Sequence, residues 1–279
     1  MYRIFLLVIL FIITLLFLYK SIWTSNEPKL DHILDKINND KSDDLDLFNN
    51  HGSYRLGDAF YKPRDPVRWV NNLKSIWHKN NIPLKELLET YPNSILAEYI
   101  KLSNYAPKDW DTLIKIINNK FYRDININKS TDCLMHVRIG DVIEDLCPGK
   151  HFLRKFYFGK MINIFKTDDA GSVRCRYIRP LKYYQKKIKK LTKMGITTVY
   201  IIAGSHIKLP NYKYSTYYIN KIMEEITKAG IQVKLKLGGS PDDDLLFSIN
   251  FDYFIMSVGE YCRLIKELNN KINSNFTII

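Results

Sequence analysis

Apolar and polar residues follow two different periods in the second half of the chain. Short apolar runs rich in Val, Ile and Leu predict buried strands at residues 134–139, 197–202, 231–237 and 253–257. Apolar positions at helical spacing predict helices between and after these strands, at residues 180–194, 216–228, 240–249 and 261–269. Such an alternation requires a parallel sheet with helices on both faces. Residues 133–279 are therefore predicted to form a Rossmann-like half.

The pattern is less regular before this half. In residues 51–132, helical spacing of apolar side chains indicates helices around 84–88, 95–102 and 110–117, and no internal repeat is present. This stretch is predicted to form a separate amino-terminal half.

An uncharged apolar run at residues 4–19 begins the chain. With its aromatic and basic margin, it predicts a transmembrane anchor at residues 1–23, and a cleaved secretory signal is the alternative that stays open. Residues 24–50 are polar and predict a stem that is partly helical. Its one apolar register consists of Leu30, Ile33, Leu34 and Ile37.

The net charge of +13 does not by itself indicate a binding surface, because the lysines are scattered along the chain. The densest basic run, residues 182–190, has apolar positions at helical spacing and is interpreted as the solvated face of a helix. We therefore expect no nucleic-acid partner. The cysteines lack the spacing of a zinc site, and a Cys147–Cys175 disulfide stays open if the domain faces an oxidising compartment.

In a parallel sheet, ligands bind beyond the carboxyl ends of the strands. The first predicted strand ends in His136 and Arg138, which share one face, and the chain then turns at Gly140 and Asp141. An arginine fork at this position binds a diphosphate, and glycine permits close approach of the backbone. The alternative is a structural Arg138–Asp141 ion pair with His136 as a core residue.

Three later loops offer further candidates. His206 follows the second strand and either contacts a ligand or is a plain loop residue. Asp244, after Ser240-Pro241-Asp242-Asp243, either binds hydroxyl or amino groups or belongs to a helix cap, and an Asp-x-Asp metal site is disfavoured there. The last loop contains Ser257, Gly259, Glu260 and Tyr261, whose backbone N–H groups are placed to receive phosphate oxygens.

Two segments in this order resemble a known family. They are His-Val-Arg-Ile-Gly-Asp, and Asp-Asp-Leu-Leu-Phe-Ser-Ile-Asn-Phe-Asp-Tyr-Phe-Ile-Met-Ser-Val-Gly-Glu-Tyr about a hundred residues later, within residues 133–268. The pair resembles the fucosyltransferase-like GT-B superfamily of α1,2-, α1,6- and protein O-fucosyltransferases. That resemblance implies an α/β fold of two Rossmann-like halves, here preceded by the transmembrane helix, with a lumenal or extracytoplasmic catalytic domain.

The resemblance also implies an activity and its residues. Fucose would be transferred from GDP-fucose to a glycan or protein acceptor, with inversion and without a metal ion or resident cofactor. Arg138 would bind the donor β-phosphate, with His136 and Asp141 shaping its loop, and Asp244 and residues 257–261 would line the GDP pocket. Asp58 and Glu260 are candidate bases, ahead of Asp141. Glu260 replaces the small or hydroxyl residue usual at that turn, which keeps open a catalytically lapsed, membrane-tethered nucleotide-sugar or glycan-binding protein.

Overall fold

The computed structural model describes the greater part of the chain from residue 91 onward and several shorter stretches before it. The described residues are 11–14, 27–39, 56–61, 89, 91–104, 106–124, 126–144, 146–159, 175–205, 209, 211–237 and 239–279.

A five-stranded, all-parallel sheet forms the centre of the fold. Its strands are β1 (Asp132–Arg138), β2 (Thr198–Gly204), β3 (Gln232–Leu237), β4 (Tyr253–Ile255) and β5 (Thr277–Ile278), in the order β3-β2-β1-β4-β5. Central strands covered on both faces read as continuous apolar runs, and β1 and β2 are buried along nearly their whole length. The predicted α/β class and parallel sheet are confirmed.

Helices cover both faces of this sheet. They are α1 (Glu27–Asn39), α2 (Leu56–Tyr61), α3 (Ile95–Ser103), α4 (Trp110–Lys120), α5 (Asp141–Glu144), α6 (Lys150–Phe158), α7 (Leu181–Lys193), α8 (Lys213–Lys228), α9 (Pro241–Ser248) and α10 (Glu260–Ile272). Helices α1 and α5–α8 pack on the face formed by Cys133, Met135 and Val137. Helices α2–α4, α9 and α10 pack on the opposite face, which contains Leu134.

The predicted elements of residues 133–279 are all present. Helix α7 falls one residue inside each end of the predicted 180–194, whereas α8 and α10 extend beyond their predicted ranges. Helix α9 begins after Ser240, whose side chain forms the capping box with Asp243. The short edge strand β5 was not predicted.

Part of the predicted stem packs on the domain. Helix α1 buries Leu30 and Ile37, two members of its apolar register, and contacts α6 and α8. The predicted anchor at residues 1–23 lies outside the described residues except for a helical stretch at 11–14. In the described ranges, no helix combines the length and apolar character needed to cross a membrane.

Residues 51–132 contribute helices wherever the structure describes them. The predicted helices at 95–102 and 110–117 appear as α3 and α4, while the one around 84–88 lies outside the described residues. Together with α2 they pack on the same sheet as α9 and α10. No strand of a second sheet occurs in the described part of this stretch, so a second Rossmann-like half stays a prediction.

Candidate functional site

The strand order changes direction between β1 and β4. The chain runs from β1 outward to β2 and β3, then crosses to β4 and β5 on the other side of β1. Crossovers leave on opposite faces of the sheet at this point. Open parallel sheets bind ligands beyond the carboxyl ends of the strands at such a point. The turns after Arg138 and Ile255 therefore form the candidate site.

Arg138 ends β1 with a half-buried side chain. One guanidinium nitrogen lies 3.9 Å from the Asp141 carboxylate, and the guanidinium carbon lies 5.4 Å from the centre of the Tyr177 ring. Asp141 is buried and Arg138 is partly buried, and at 3.9 Å their contact is too long for a hydrogen bond. Since the guanidinium has five N–H donors and none donates a hydrogen bond to a described residue, Arg138 can bind an anion while it keeps the Asp141 contact.

His136 lies on the same face of β1, but in the interior. Its Nδ1 shares a hydrogen bond of 2.5 Å with the hydroxyl of Ser257, which is also buried. Burial, and secondarily the charge of Arg138, lowers the pKa of His136 to about 3. The imidazole is therefore neutral at physiological pH and joins β1 to the turn after β4.

Hydrogen bonds connect the turn after β1 to helix α8. Gly140 has a φ of +78° and donates its backbone N–H to the Ser215 hydroxyl at 3.1 Å, and a Cβ on Gly140 would collide with Ser205. The Glu144 carboxylate accepts the backbone N–H of Ser215 at 2.6 Å and so caps α8. Gly140 shapes this loop, and its N–H already has a protein acceptor.

The turn at residues 257–261 leads into the N-terminus of α10, where the N-cap residue is a glycine. Gly259 is the N-cap residue, with a φ of +117°, and as a glycine it provides no side-chain cap for the first turn. A Cβ on Gly259 would lie 3.2 Å from a guanidinium nitrogen of Arg138, so glycine permits that approach. A charged guanidinium and the N-terminus of a helix thus meet at one point, and both attract anions.

Two predicted site residues of this turn have protein partners. The Glu260 carboxylate lies 3.5 Å from the Arg263 guanidinium one turn later. The Tyr261 hydroxyl donates to the Pro241 carbonyl at 2.5 Å, and its ring centre lies 5.8 Å from that of His136. Glu260 places a negative charge at the start of α10, beside the position that attracts anions.

Helix α2 brings the amino-terminal half to the same turn. Gly57 packs so closely on α10 that a Cβ there would lie 2.6 Å from Tyr261 Cα and 2.7 Å from the Glu260 carbonyl carbon. The next residue, Asp58, therefore has its backbone beside the first turn of α10. The two preferred candidate bases, Asp58 and Glu260, belong to neighbouring segments although they are far apart in sequence.

The aspartates of α9 have three different partners. Asp243 completes the capping box, and Asp242 accepts the backbone N–H of Ile95 at 2.7 Å. Asp244 is buried and pairs with Lys236 of β3 at 2.8 Å. Burial raises the pKa of Asp244, and the Lys236 ammonium partly opposes that effect. Two of these aspartates have clear capping roles, and Asp244 is one member of an ion pair at the carboxyl end of β3.

Arg179 is a site residue that sequence reasoning missed. It directly precedes Pro180 and α7, and its guanidinium donates to the Ser257 carbonyl at 3.2 Å. Burial raises the pKa of Cys262, in the first turn of α10, to about 12, while the charges of Arg179 and Arg138 both act to lower it. Both guanidinium groups are close to the start of α10, because Arg179 donates to the Ser257 carbonyl and Arg138 approaches Gly259. The only sequence signal was a basic residue before a helix start, which is common.

A disulfide joins the segments that carry these arginines. Cys147, soon after α5, is bonded to Cys175, which opens the short 3₁₀ turn Cys175–Tyr177. The pairing that the sequence left open is thus present. It connects the loop after Arg138 to the segment that contains Tyr177 and Arg179.

The site therefore brings together, at the carboxyl ends of β1 and β4, the residues His136, Arg138, Ser257, Gly259 and Glu260. Asp244 lies on α9 and pairs with Lys236 near the end of β3, and His206 lies outside the described residues. No cluster of His, Cys, Asp and Glu suited to a metal ion occurs among the residues that the structure describes. Comparisons of the chain with protein-family models, with curated proteins and with solved structures find no match.

Proposed function

We propose that this chain is a glycosyltransferase that transfers a sugar from a nucleotide-sugar donor, with fucose from GDP-fucose as the preferred case. The observation that carries the proposal is the position of Arg138. Its guanidinium lies where the strand order reverses, beside the Gly259 N-cap of α10, and it has hydrogen-bond donors to spare. This is the position at which a parallel α/β fold binds a diphosphate.

The chemistry follows from the neighbours of Arg138. A bond forms between the acceptor hydroxyl oxygen and the anomeric carbon as the bond to the diphosphate breaks, with inversion at that carbon. The hydroxyl proton goes to a carboxylate, for which Asp58 and Glu260 are the candidates. Arg138 and the α10 N-terminus stabilise the negative charge that develops on the leaving nucleoside diphosphate. No step in this scheme is assigned to a metal ion or cofactor.

The proposal extends to the whole molecule. Residues 1–23 anchor the protein in a membrane, and the catalytic domain faces a lumenal or extracytoplasmic compartment, where it meets its glycan or protein acceptor. The Cys147–Cys175 disulfide supports this placement, because disulfides persist in oxidising compartments. Completion of a GT-B fold would require strands in residues that the structure does not describe, chiefly 62–88.

Ligand binding by the purified protein tests the proposal directly. Thermal shift should rise with GDP and GDP-fucose more than with UDP-sugars, and a short oligonucleotide should give no shift. Arg138→Gln should weaken GDP binding about 10- to 100-fold, since a charge-assisted hydrogen bond stabilises a complex by roughly 1.5–3 kcal/mol. Arg123→Gln, an equal change of charge at an exposed site, is the matched control. A wild-type protein that no nucleotide-sugar stabilises would refute the proposal.

Glu260 favours a second candidate, a lapsed enzyme that binds a nucleotide-sugar without transferring it. A carboxylate in the first turn of α10 repels the phosphates that the same turn attracts. The two candidates differ in chemistry, so retained GDP binding without hydrolysis or transfer across an acceptor panel would select the lapsed form. If Glu260 is instead a base, Glu260→Gln should abolish transfer and strengthen GDP binding.

A further inference from the structure

Arg179 is a second guanidinium at the same turn, and neither motif of the resemblance contains it. Its Nη2 donates to the Ser257 carbonyl at 3.2 Å, while Arg138 approaches Gly259, two residues further along the turn. Its guanidinium carbon also lies 4.9 Å from the centre of the Tyr183 ring. The two arginines reach the turn from different segments, Arg138 from β1 and Arg179 from the start of α7.

The backbone of Arg179 is held rigidly. Its N–H donates to the Tyr218 hydroxyl at 3.1 Å, and the same hydroxyl donates to the Arg179 carbonyl at 2.9 Å. Because that bond uses the only hydroxyl proton of Tyr218, the buried Tyr184 must donate in the 2.9 Å bond between the two tyrosines. Both tyrosines are fully buried, so the position of Arg179 is fixed by the core.

Among the described residues, no carboxylate balances the charge of Arg179. No carboxylate in the described part of the chain forms an ion pair with it, and its Nε is buried without a hydrogen-bond acceptor. A partly buried guanidinium with an unsatisfied donor destabilises a protein unless an anion completes the arrangement. An anionic group at the accessible part of this guanidinium would supply the missing counterion.

We propose that Arg179 and Arg138 together clamp two linked phosphoryl groups across the Ser257–Gly259 turn, so that Arg179 makes the site selective for a diphosphate over a monophosphate. One guanidinium and the α10 N-terminus suffice for a single phosphoryl group. A second guanidinium at the same turn, on the Ser257 carbonyl, fits a second phosphoryl group. The inference rests on the site of the proposed function and adds the residue that selects its ligand.

Isothermal titration of the full chain with inorganic phosphate, inorganic pyrophosphate, GMP and GDP tests the clamp. Wild-type protein should bind pyrophosphate more tightly than phosphate, and GDP more tightly than GMP. Arg179→Gln should weaken pyrophosphate and GDP binding about 10- to 100-fold, the loss expected for charge-assisted hydrogen bonds, and change GMP binding less than threefold. Arg123→Gln removes the same charge from an exposed position on another segment and should leave all four affinities within about twofold.

A second variant keeps the test decisive if Arg179→Gln does not fold. Arg179→Lys keeps the charge but loses the planar fork, so it should reduce the preference for GDP over GMP by a smaller factor. An unchanged GDP-to-GMP ratio in the folded variant overturns the inference, and so does equal wild-type affinity for phosphate and pyrophosphate. Loss of GDP binding in Arg138→Gln but not in Arg179→Gln rejects the clamp and leaves the proposed function standing. Arg179-dependent binding of pyrophosphate without any nucleotide binding supports the clamp and refutes the proposed function.

Discussion

His136 and Arg138 lie two residues apart on one face of β1, in opposite environments. The first is buried and neutral, while the second is half-exposed and charged. The difference arises because the strand leaves the core between them, so the same face changes from protein interior to crevice. Of the two interpretations that the sequence left open, the structural one matches the buried His136 and the Arg138–Asp141 contact. Binding of a diphosphate by the remaining donors of Arg138 stays a prediction.

The low pKa of His136 makes folding dependent on pH. Below the unfolded value of 6.5, the unfolded chain takes up a proton that the folded protein does not bind until about pH 3. Stability from this group is therefore complete above pH 6.5 and is lost as the pH falls from 6.5 towards 3, by about 2 kcal/mol at pH 5. In urea titrations, His136→Gln should show a shallower loss than wild type over this range. His151→Gln, at an exposed position, should keep the wild-type slope, and equal slopes for all three proteins would contradict the assignment.

Gly259 allows a prediction that separates backbone strain from ligand binding. An alanine there would adopt a φ of +117° and place a Cβ 3.2 Å from an Arg138 guanidinium nitrogen. Gly259→Ala should therefore cost about 1–3 kcal/mol of stability and also weaken GDP binding at least tenfold. Gly230→Ala shares the strain, with a φ of +77°, but has open space around the new Cβ. It should lose stability alone, and an equal effect of both variants on GDP affinity would show that Arg138 does not depend on Gly259.

At the scale of elements, the α9 aspartates show where sequence patterns stop being informative. The start of α9 is predictable from the sequence, because a capping serine, a proline at the first helical position and acids in the first turn all favour a helix N-terminus. The partners of the acids are set by distant segments: Asp242 bonds to the start of α3, and Asp244 pairs with Lys236 of β3. The local sequence thus predicts the helix, whereas the partners of its side chains depend on tertiary contacts.

The Cys147–Cys175 disulfide links two elements of the site, and its removal has a measurable cost. It closes a sequence separation of 28 residues, for which chain entropy predicts about 3–4 kcal/mol of stabilisation. A Cys147→Ser, Cys175→Ser double variant should lose that amount in urea unfolding and bind GDP more weakly, because the Arg179 segment is less restrained. Thiol titration of unfolded wild type should detect Cys133 and Cys262 alone before reduction. Detection of all four thiols before reduction would exclude the bridge.

Across the whole molecule, the sequence predicts the parallel sheet well because strand and helix periods differ clearly in residues 133–279. It misses β5, a two-residue edge strand with too few positions to show a period. It also cannot pair His136 with Ser257, which lie 121 residues apart, because that contact exists only once β1 and β4 are adjacent. Arg179 shares this limit, since its importance comes from a tertiary position and not from a local motif.

Helix α1, within the predicted stem, belongs to the folded domain. The apolar register of residues 24–50 was visible in the sequence, but its partners in α6 and α8 are distant along the chain. Leu30 and Ile37 are 4% and 3% exposed, and burial of two such side chains is worth about 3–6 kcal/mol. A chain without residues 1–23 should therefore keep its stability, whereas a chain without residues 1–50 should lose a large part of it.

Both truncations also test the anchor, because membrane association and folding are measured separately. Flotation with lipid vesicles should retain the full chain and release both shortened forms, while urea unfolding should distinguish the two shortened forms from each other. Release of the protein only after removal of residues 24–50 would place the membrane contact in α1 instead. Equal unfolding free energies for the two shortened chains would mean that α1 is an independent stem. The expected pattern would show that residues 24–50 connect a membrane anchor to the folded domain. It would also show that α1 contributes to the stability of the helical layer on the sheet.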